Sequence, residues 1–186
     1  YVIPGLAKHR YNRKSTSGST GEPFSFFRAS KFAPLRRAFY YDAFRWLGVS
    51  LDESKVIIKS PWGTPRPWPD PKRLAALSLV GVHQHAEEYL QSISAASATI
   101  LESYPTYLAM LASLAAKENV VRPTLRLAIC YGEMLSPLER LNIEKTFHCE
   151  ISSYYGLQEL GVVGIECSAH NGFHVNPLAA LVEVVD

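Results

Sequence analysis

Leu125-Arg126-Leu127-Ala128-Ile129-Cys130-Tyr131-Gly132-Glu133-Met134-Leu135-Ser136-Pro137-Leu138-Glu139 is the stretch on which the fold turns. Leu125 to Cys130 has the apolar content of a buried strand. Ser136-Pro137-Leu138-Glu139 is a capping box with proline at the first helical position, so a helix starts there and runs to about Phe147. Ile151 to Tyr155 then reads as a second strand. Strand, helix and strand in this order build a parallel sheet covered by helices.

The same alternation extends upstream. Pro105 opens a helix whose apolar face is Tyr107, Leu108, Leu111, Leu114 and Ala115. Thr99 to Leu101 reads as a strand, Ala86 to Ile93 as a helix, and Leu77 to Val82 and Val56 to Ile58 as strands. From Ser30 to Leu47, Phe32, Leu35, Phe39, Tyr40, Ala43, Phe44 and Leu47 follow helical spacing, and Gly48 ends the run. Downstream, Val162 to Glu166 and Ala180 to Val185 read as strands. The expected fold class is α/β: a mostly parallel sheet flanked by helices, with a small β-rich segment at the C-terminal end. Residues 60–72 hold five prolines and are expected to be a loop. Trp62 and Trp68 within it either line a pocket or pin the loop to the body.

The 186 residues, 47% hydrophobic, suit one domain with a sizeable core. A net charge of +2 gives no general case for nucleic acid or membrane binding. One basic cluster, Lys8, His9, Arg10, Arg13 and Lys14, is either a solvated segment or an aid in attracting a polyanion. Three cysteines, Cys130, Cys149 and Cys167, do not make a disulfide framework, so reduced thiols and a cytoplasmic location are expected. No apolar run approaches the ~20 residues that cross a bilayer. The chain opens on Tyr1 and stops after Val184-Val185-Asp186, which reads as a piece of a longer protein. Oligomeric state is left open.

Three segments carry chemistry. Ser15-Thr16-Ser17-Gly18-Ser19-Thr20-Gly21-Glu22-Pro23 contains no hydrophobic residue. Its glycines permit close backbone approach, and its amides and hydroxyls can form a nest for phosphate. Gly/Ser runs are also ordinary linkers. Gly132-Glu133 follows a strand and is either a tight turn or a place where a nucleotide meets backbone. Tyr154-Tyr155-Gly156-Leu157-Gln158-Glu159 follows the next strand. An aromatic there can stack on a base, and Glu159 is a hard oxygen ligand suited to Mg²⁺.

In this order the three segments resemble those of the adenylate-forming superfamily, which includes acyl-CoA synthetases and nonribosomal-peptide adenylation domains. The phenylacetate–CoA ligase branch and its capsule-biosynthesis relatives look most similar. Ser103-Tyr104-Pro105-Thr106-Tyr107-Leu108, Cys130-Tyr131-Gly132-Glu133-Met134-Leu135-Ser136, and Gly172-Phe173-His174-Val175-Asn176 through Asp186 fit that branch. The resemblance implies that residues 1–186 are one partial domain, the nucleotide-binding core of the family's large N-terminal domain. It implies that Ser17, Gly18, Ser19, Thr20 and Gly21 hold the β- and γ-phosphates of ATP, with Thr20 and Glu159 serving catalysis. Gly132 and Glu133 would line the adenine pocket, Tyr155 would stack on adenine beside Gly156, and Ser153 and Tyr154 would lie near the base's edge. Glu159 would bind Mg²⁺.

The implied reaction joins a small carboxylic acid to AMP and passes the acyl group to CoA, an amine or a carrier protein. The family's ribose-binding aspartate and its C-terminal lid with a catalytic lysine lie beyond Asp186, so turnover by this piece alone is not expected. Two positions depart from the pattern: Glu22 where lysine is common, and Gln158 where a hydroxyl residue precedes the glutamate. They sustain an alternative, a non-catalytic relative acting as a nucleotide-binding or scaffold module. A Walker-type NTPase is disfavoured, since neither Lys-Ser nor Lys-Thr follows the second glycine.

Cys167-Ser168-Ala169-His170 with His174 has the spacing of a zinc site, though only three ligands are in reach. The other reading is a core cysteine beside two turn histidines. His83 and His85 could border an acyl pocket.

Overall fold

The structure is a computed structural model that describes residues 11–15, 23–59, 74–78, 86–117 and 122–185. Within them a seven-stranded sheet runs in the order β4-β3-β5-β6-β7-β8-β9. Its strands are β3 (Lys55–Lys59), β4 (Leu74–Ser78), β5 (Ile100–Ser103), β6 (Leu127–Tyr131), β7 (Glu150–Leu157), β8 (Gly161–Glu166) and β9 (Phe173–Val175). The first five in space are parallel, and β8 and β9 are antiparallel. Four helices accompany it: α1 (Ala33–Trp46), α2 (Ala86–Ala95), α3 (Pro105–Ala115) and α4 (Pro137–Phe147). The expected α/β class, with antiparallel strands at the C-terminal end, is the one observed.

The local signals act as their chemistry dictates. In α4 the Glu139 amide donates to Ser136 Oγ at 3.2 Å, and the Ser136 amide donates to Glu139 Oε2 at 2.9 Å. Two of the orphan donors at the helix start are thereby satisfied. Pro105 occupies the first position of α3, where no amide partner is needed. Val56, Ile58, Leu101, Ala128 and Ile151 form one face of the sheet, packed by Leu90, Ile93, Leu108, Leu111, Ile143 and Phe147 from α2, α3 and α4. The other face packs against Tyr40, Ala43 and Phe44 of α1.

Four expectations change. The helix expected from Ser30 begins at Ala33 after a 3-10 turn, Ser30–Phe32. Its first apolar residues, Phe32 and Leu35, are exposed, because only the part from Phe39 onward overlies the sheet. The strand expected over 77–82 is instead Leu74–Ser78, in parallel register with Lys55–Lys59; residues 79–82 lie outside the described residues. The apolar run Ala180–Val185 forms no strand, and Leu181, Val184 and Val185 are exposed. β9 has ended by then: Pro177 has no amide for the ladder, and Asn176 begins a turn by accepting from the amides of Leu178 and Ala179. Finally, an antiparallel pair, β1 (Tyr11–Ser15) with β2 (Ser25–Ala29), flanks the Ser/Gly segment, where no strand was expected.

Candidate functional site

The site is built at the carboxyl ends of β5, β6 and β7, where open parallel sheets leave room for ligands. Just beyond β6, Gly132 has φ +78°, and a Cβ there would lie 2.8 Å from the Tyr104 ring. Only glycine fits this corner. Glu133 turns back to α3. It accepts from Thr106 Oγ1 at 2.6 Å and from the Thr106 amide at 3.3 Å, so its carboxylate caps that helix.

Tyr104, Tyr131 and Tyr154 form a row across the three strand ends. Tyr104 and Tyr131 have centroids 4.7 Å apart, and Tyr131 and Tyr154 stack within 8° of parallel at 5.6 Å. Tyr154 is buried, and its hydroxyl donates to Glu102 Oε1 at 2.9 Å. Ser153 is buried too, with its amide donating to Glu166 Oε2 at 3.1 Å. Of the pair Tyr154-Tyr155, Tyr155 is the one with a free ring face: it is 52% exposed, with Phe173 6.3 Å away.

β7 and β8 form a hairpin whose tip is Gln158-Glu159-Leu160. A register shift falls between Tyr155 and Gly156. A Cβ on Gly156 would meet the Gly161 carbonyl at 2.8 Å, so the strands close here only over glycine. Glu159 is half-buried on the tip. Among the described residues its carboxylate has no hydrogen-bond or ion-pair partner. Arg28 of β2 donates from Nη1 to the Gln158 carbonyl at 3.1 Å. The strand that follows the Ser/Gly segment therefore touches the turn that carries Glu159.

Beside this hairpin, α1 and β8 border a small, half-open cleft. Phe39, Asp42 and Trp46 form one wall and Val162 to Ile165 the other, with His174 and Asn176 at the rim. Among the described residues Asp42 is its one carboxylate. Periodicity identified Phe39 and Ala43 as a core face. It could not show that this same face borders a cleft against β8.

The structure thus brings Gly132, Tyr155, Gly156 and Glu159 to neighbouring strand ends. Ser17, Gly18, Ser19, Thr20, Gly21 and Glu22 lie outside the described residues, as do Trp62, Trp68, His83 and His85. The zinc reading of Cys167, His170 and His174 is corrected: among the described residues no three His, Cys, Asp or Glu side chains converge as metal ligands. The sheet separates them. His170 Nδ1 lies 3.5 Å from Glu166 Oε1, itself paired with Arg140 of α4, whereas His174 stands against Trp46 of α1. The other two cysteines are core residues; burial pushes the Cys130 thiol up, and Cys149 up to about 11.

No family model matches the chain, and no curated protein matches it by sequence. Solved structures do. The fold is shared with part of the adenylate-forming enzymes. Over 90% of its length the chain is similar to 38% of 2-hydroxyisobutyryl-CoA ligase in complex with 2-HIB-AMP and CoA (TM-score 0.65, 16% identity). Over 84% it is similar to 31% of the anthranilate CoA ligase AuaEII in complex with anthranoyl-AMP (TM-score 0.62, 22% identity). Over 85% it is similar to 29% of an acyl-CoA synthetase from Brucella canis (TM-score 0.57, 21% identity). The chain spans between 29% and 38% of the length of these three relatives. Among the described residues, no helix is long and apolar enough to cross a membrane.

Proposed function

We propose that this chain is the nucleotide-binding portion of an ATP-dependent ligase that activates a carboxylic acid as its acyl-adenylate, within or near the phenylacetate–CoA ligase branch. The observation that carries the reading is the Arg28–Gln158 bond. It ties the strand after the Ser/Gly segment to the turn bearing Glu159, beside the cleft between α1 and β8. On this reading the amides of Ser17 to Gly21 hold the triphosphate, and Tyr155 offers its open face to adenine beside Gly132 and Gly156. Glu133 serves the pocket by fixing the start of α3 against β6.

The acid's organic part occupies the cleft, with its carboxylate toward the hairpin tip. Glu159, a carboxylate unpaired among the described residues, suits Mg²⁺, which keeps waters and phosphate oxygens beside one or two protein oxygens. Bound Mg²⁺ would offset phosphate charge where two anions must meet. The chain's own contribution is positioning: it aligns acid and α-phosphorus and excludes competing geometries. CoA, an amine or a carrier protein is the acceptor.

The test is carboxylate-dependent exchange of pyrophosphate into ATP by the whole protein, across a broad panel of acids. Exchange with at least one acid, lost in Glu159→Gln by about a hundred-fold or more, is the expected result. ATP binding without exchange for any acid would replace the ligase by a nucleotide-binding module.

A further inference from the structure

Against the turn that carries Glu159 lie two arginine side chains for which the described residues supply no counter-charge. Arg28 comes from β2 and Arg36 from α1. Arg28 places one N–H on the Gln158 carbonyl at 3.1 Å. The aliphatic stem of Arg36 lies along the turn's other end, its Cδ 3.6 Å from where a Cβ on Gly161 would stand. Both side chains are half-buried.

A guanidinium carries five N–H donors and no acceptor. Among the described residues, Arg28 uses one N–H and Arg36 none in a hydrogen bond or ion pair. Neither pairs with Glu159, although both lie against the four-residue turn that carries it. Burial, and then the neighbouring Arg28 charge, hold the Arg36 guanidinium below its usual pKa. Two like charges beside one turn, with most of their N–H donors unused among the described residues, are an arrangement that an oxyanion would relieve.

We propose that Arg28 and Arg36 form an anion site over the Gln158–Gly161 turn that takes a phosphoryl group of a polyphosphate. The source of the group, ATP or the pyrophosphate released from it, rests on the ligase reading. The site itself does not, because a polyphosphate can be offered directly. The planar forks bind adjacent phosphoryl oxygens in two-point fashion, which a lysine in either place would not reproduce.

The experiment is calorimetric binding of pyrophosphate, ATP and AMP to the full chain and to Arg36→Met, Arg28→Met, Arg36→Lys and Arg45→Met. Arg45 lies on the last turn of α1 and controls for the loss of one positive charge. Pyrophosphate and ATP should bind the parent chain, and each methionine variant at the site should weaken both about ten-fold or more. Arg36→Lys should weaken them by a smaller factor, and Arg45→Met should leave them unchanged. AMP affinity should hold in every variant. Arg36→Lys keeps the stem on Gly161, so it decides the question if Arg36→Met does not fold.

Failure of pyrophosphate to bind the parent chain overturns the site. So do equal pyrophosphate affinities in the parent and the folded Arg36 variants, or a loss of AMP binding as large as that of pyrophosphate. Absence of acid-dependent exchange with this binding pattern intact would overturn the ligase reading and leave the site standing.

Discussion

The two faces of the sheet solve the same packing problem with different chemistry. Under α2, α3 and α4 the core is mostly apolar, built from residues such as Val56, Ile58, Leu101, Leu108 and Leu111, with the partly exposed Arg140–Glu166 pair between α4 and β8. Under α1 the sheet buries an ion pair. Lys55 Nζ lies 2.8 Å from Glu102 Oε2, and neither side chain is exposed. Tyr40 donates to the same carboxylate oxygen at 2.5 Å, Tyr154 donates to the other at 2.9 Å, and Lys55 also bonds the Tyr40 hydroxyl. The ammonium sits over the rings of Tyr40 and Phe44, 4.7 and 4.5 Å from their centroids.

An apolar face needs only volume, whereas a satisfied polar network accepts only one relative placement of the elements that supply it. This network joins α1, β3, β5 and β7. Tyr40 precedes Asp42 of the cleft wall by two residues, and Tyr154 precedes the exposed ring of Tyr155. The face with the exacting chemistry is the one that carries the candidate site.

Removing one partner should separate the two faces most sharply. Glu102→Ala removes the buried carboxylate that the Lys55 ammonium and the hydroxyls of Tyr40 and Tyr154 share. The expected loss is about 3–5 kcal/mol, read from the urea midpoint at unchanged slope. Leu111→Ala, fully buried on the other face, should cost about 2–4 kcal/mol through lost transfer energy and an incompletely filled cavity. The decisive member is the double variant Lys55→Met with Glu102→Leu. Replacing both charges by apolar groups should recover part of the loss, since burying the pair costs desolvation that its attraction only roughly offsets, while the tyrosine hydroxyls still lose the carboxylate. Equal losses in the single and double variants would mean that the charges are not what makes this face exacting.

How much of this was legible in the sequence follows the same division. Elements fixed by local chemistry were readable: the capping box of Ser136 and Glu139, the proline that opens α3, the β-branched run Val56-Ile57-Ile58. So was the order of the chemical segments, of which Gly132, Tyr155 and Glu159 end on neighbouring strand ends. Features that depend on distant partners were not. Lys55 and Glu102 are 47 residues apart, and the only local sign is a charge inside an apolar strand. The hairpin β1–β2 escaped notice because its strands bury little; of its ten residues only Phe26 is buried. Ala180 to Val185 shows the converse error. β-branched residues favour a strand only where a neighbouring strand pairs with them, and among the described residues none pairs with Ala180–Val185.

An ion pair near the amino ends of the strands offers the smallest and finest comparison. Arg126 grips Glu53 in two-point fashion, Nη2 to Oε1 at 2.8 Å and Nε to Oε2 at 3.1 Å, with the arginine side chain 43% exposed. Burial pushes the Glu53 carboxyl up, but hydrogen bonds from Arg126, the Ser50 amide and Thr99 outweigh it and hold the group below its ordinary value of 4.5. A carboxyl depressed by folding adds stability above its unfolded pKa and loses it as pH falls through the lower folded value. Glu53→Gln should therefore cost about 1 kcal/mol at pH 7, a modest figure because water screens the partner. The gap between variant and parent should narrow as pH drops below about 4.5. Urea midpoints of both chains at pH 7 and pH 3.5 measure it, and titrations common to the two cancel in the difference. A gap that stays constant would place the contribution of Glu53 in its shape and hydrogen bonds rather than its charge. A gap as large as that of Glu102→Ala would erase the distinction between a pair sealed under α1 and one at the solvent edge.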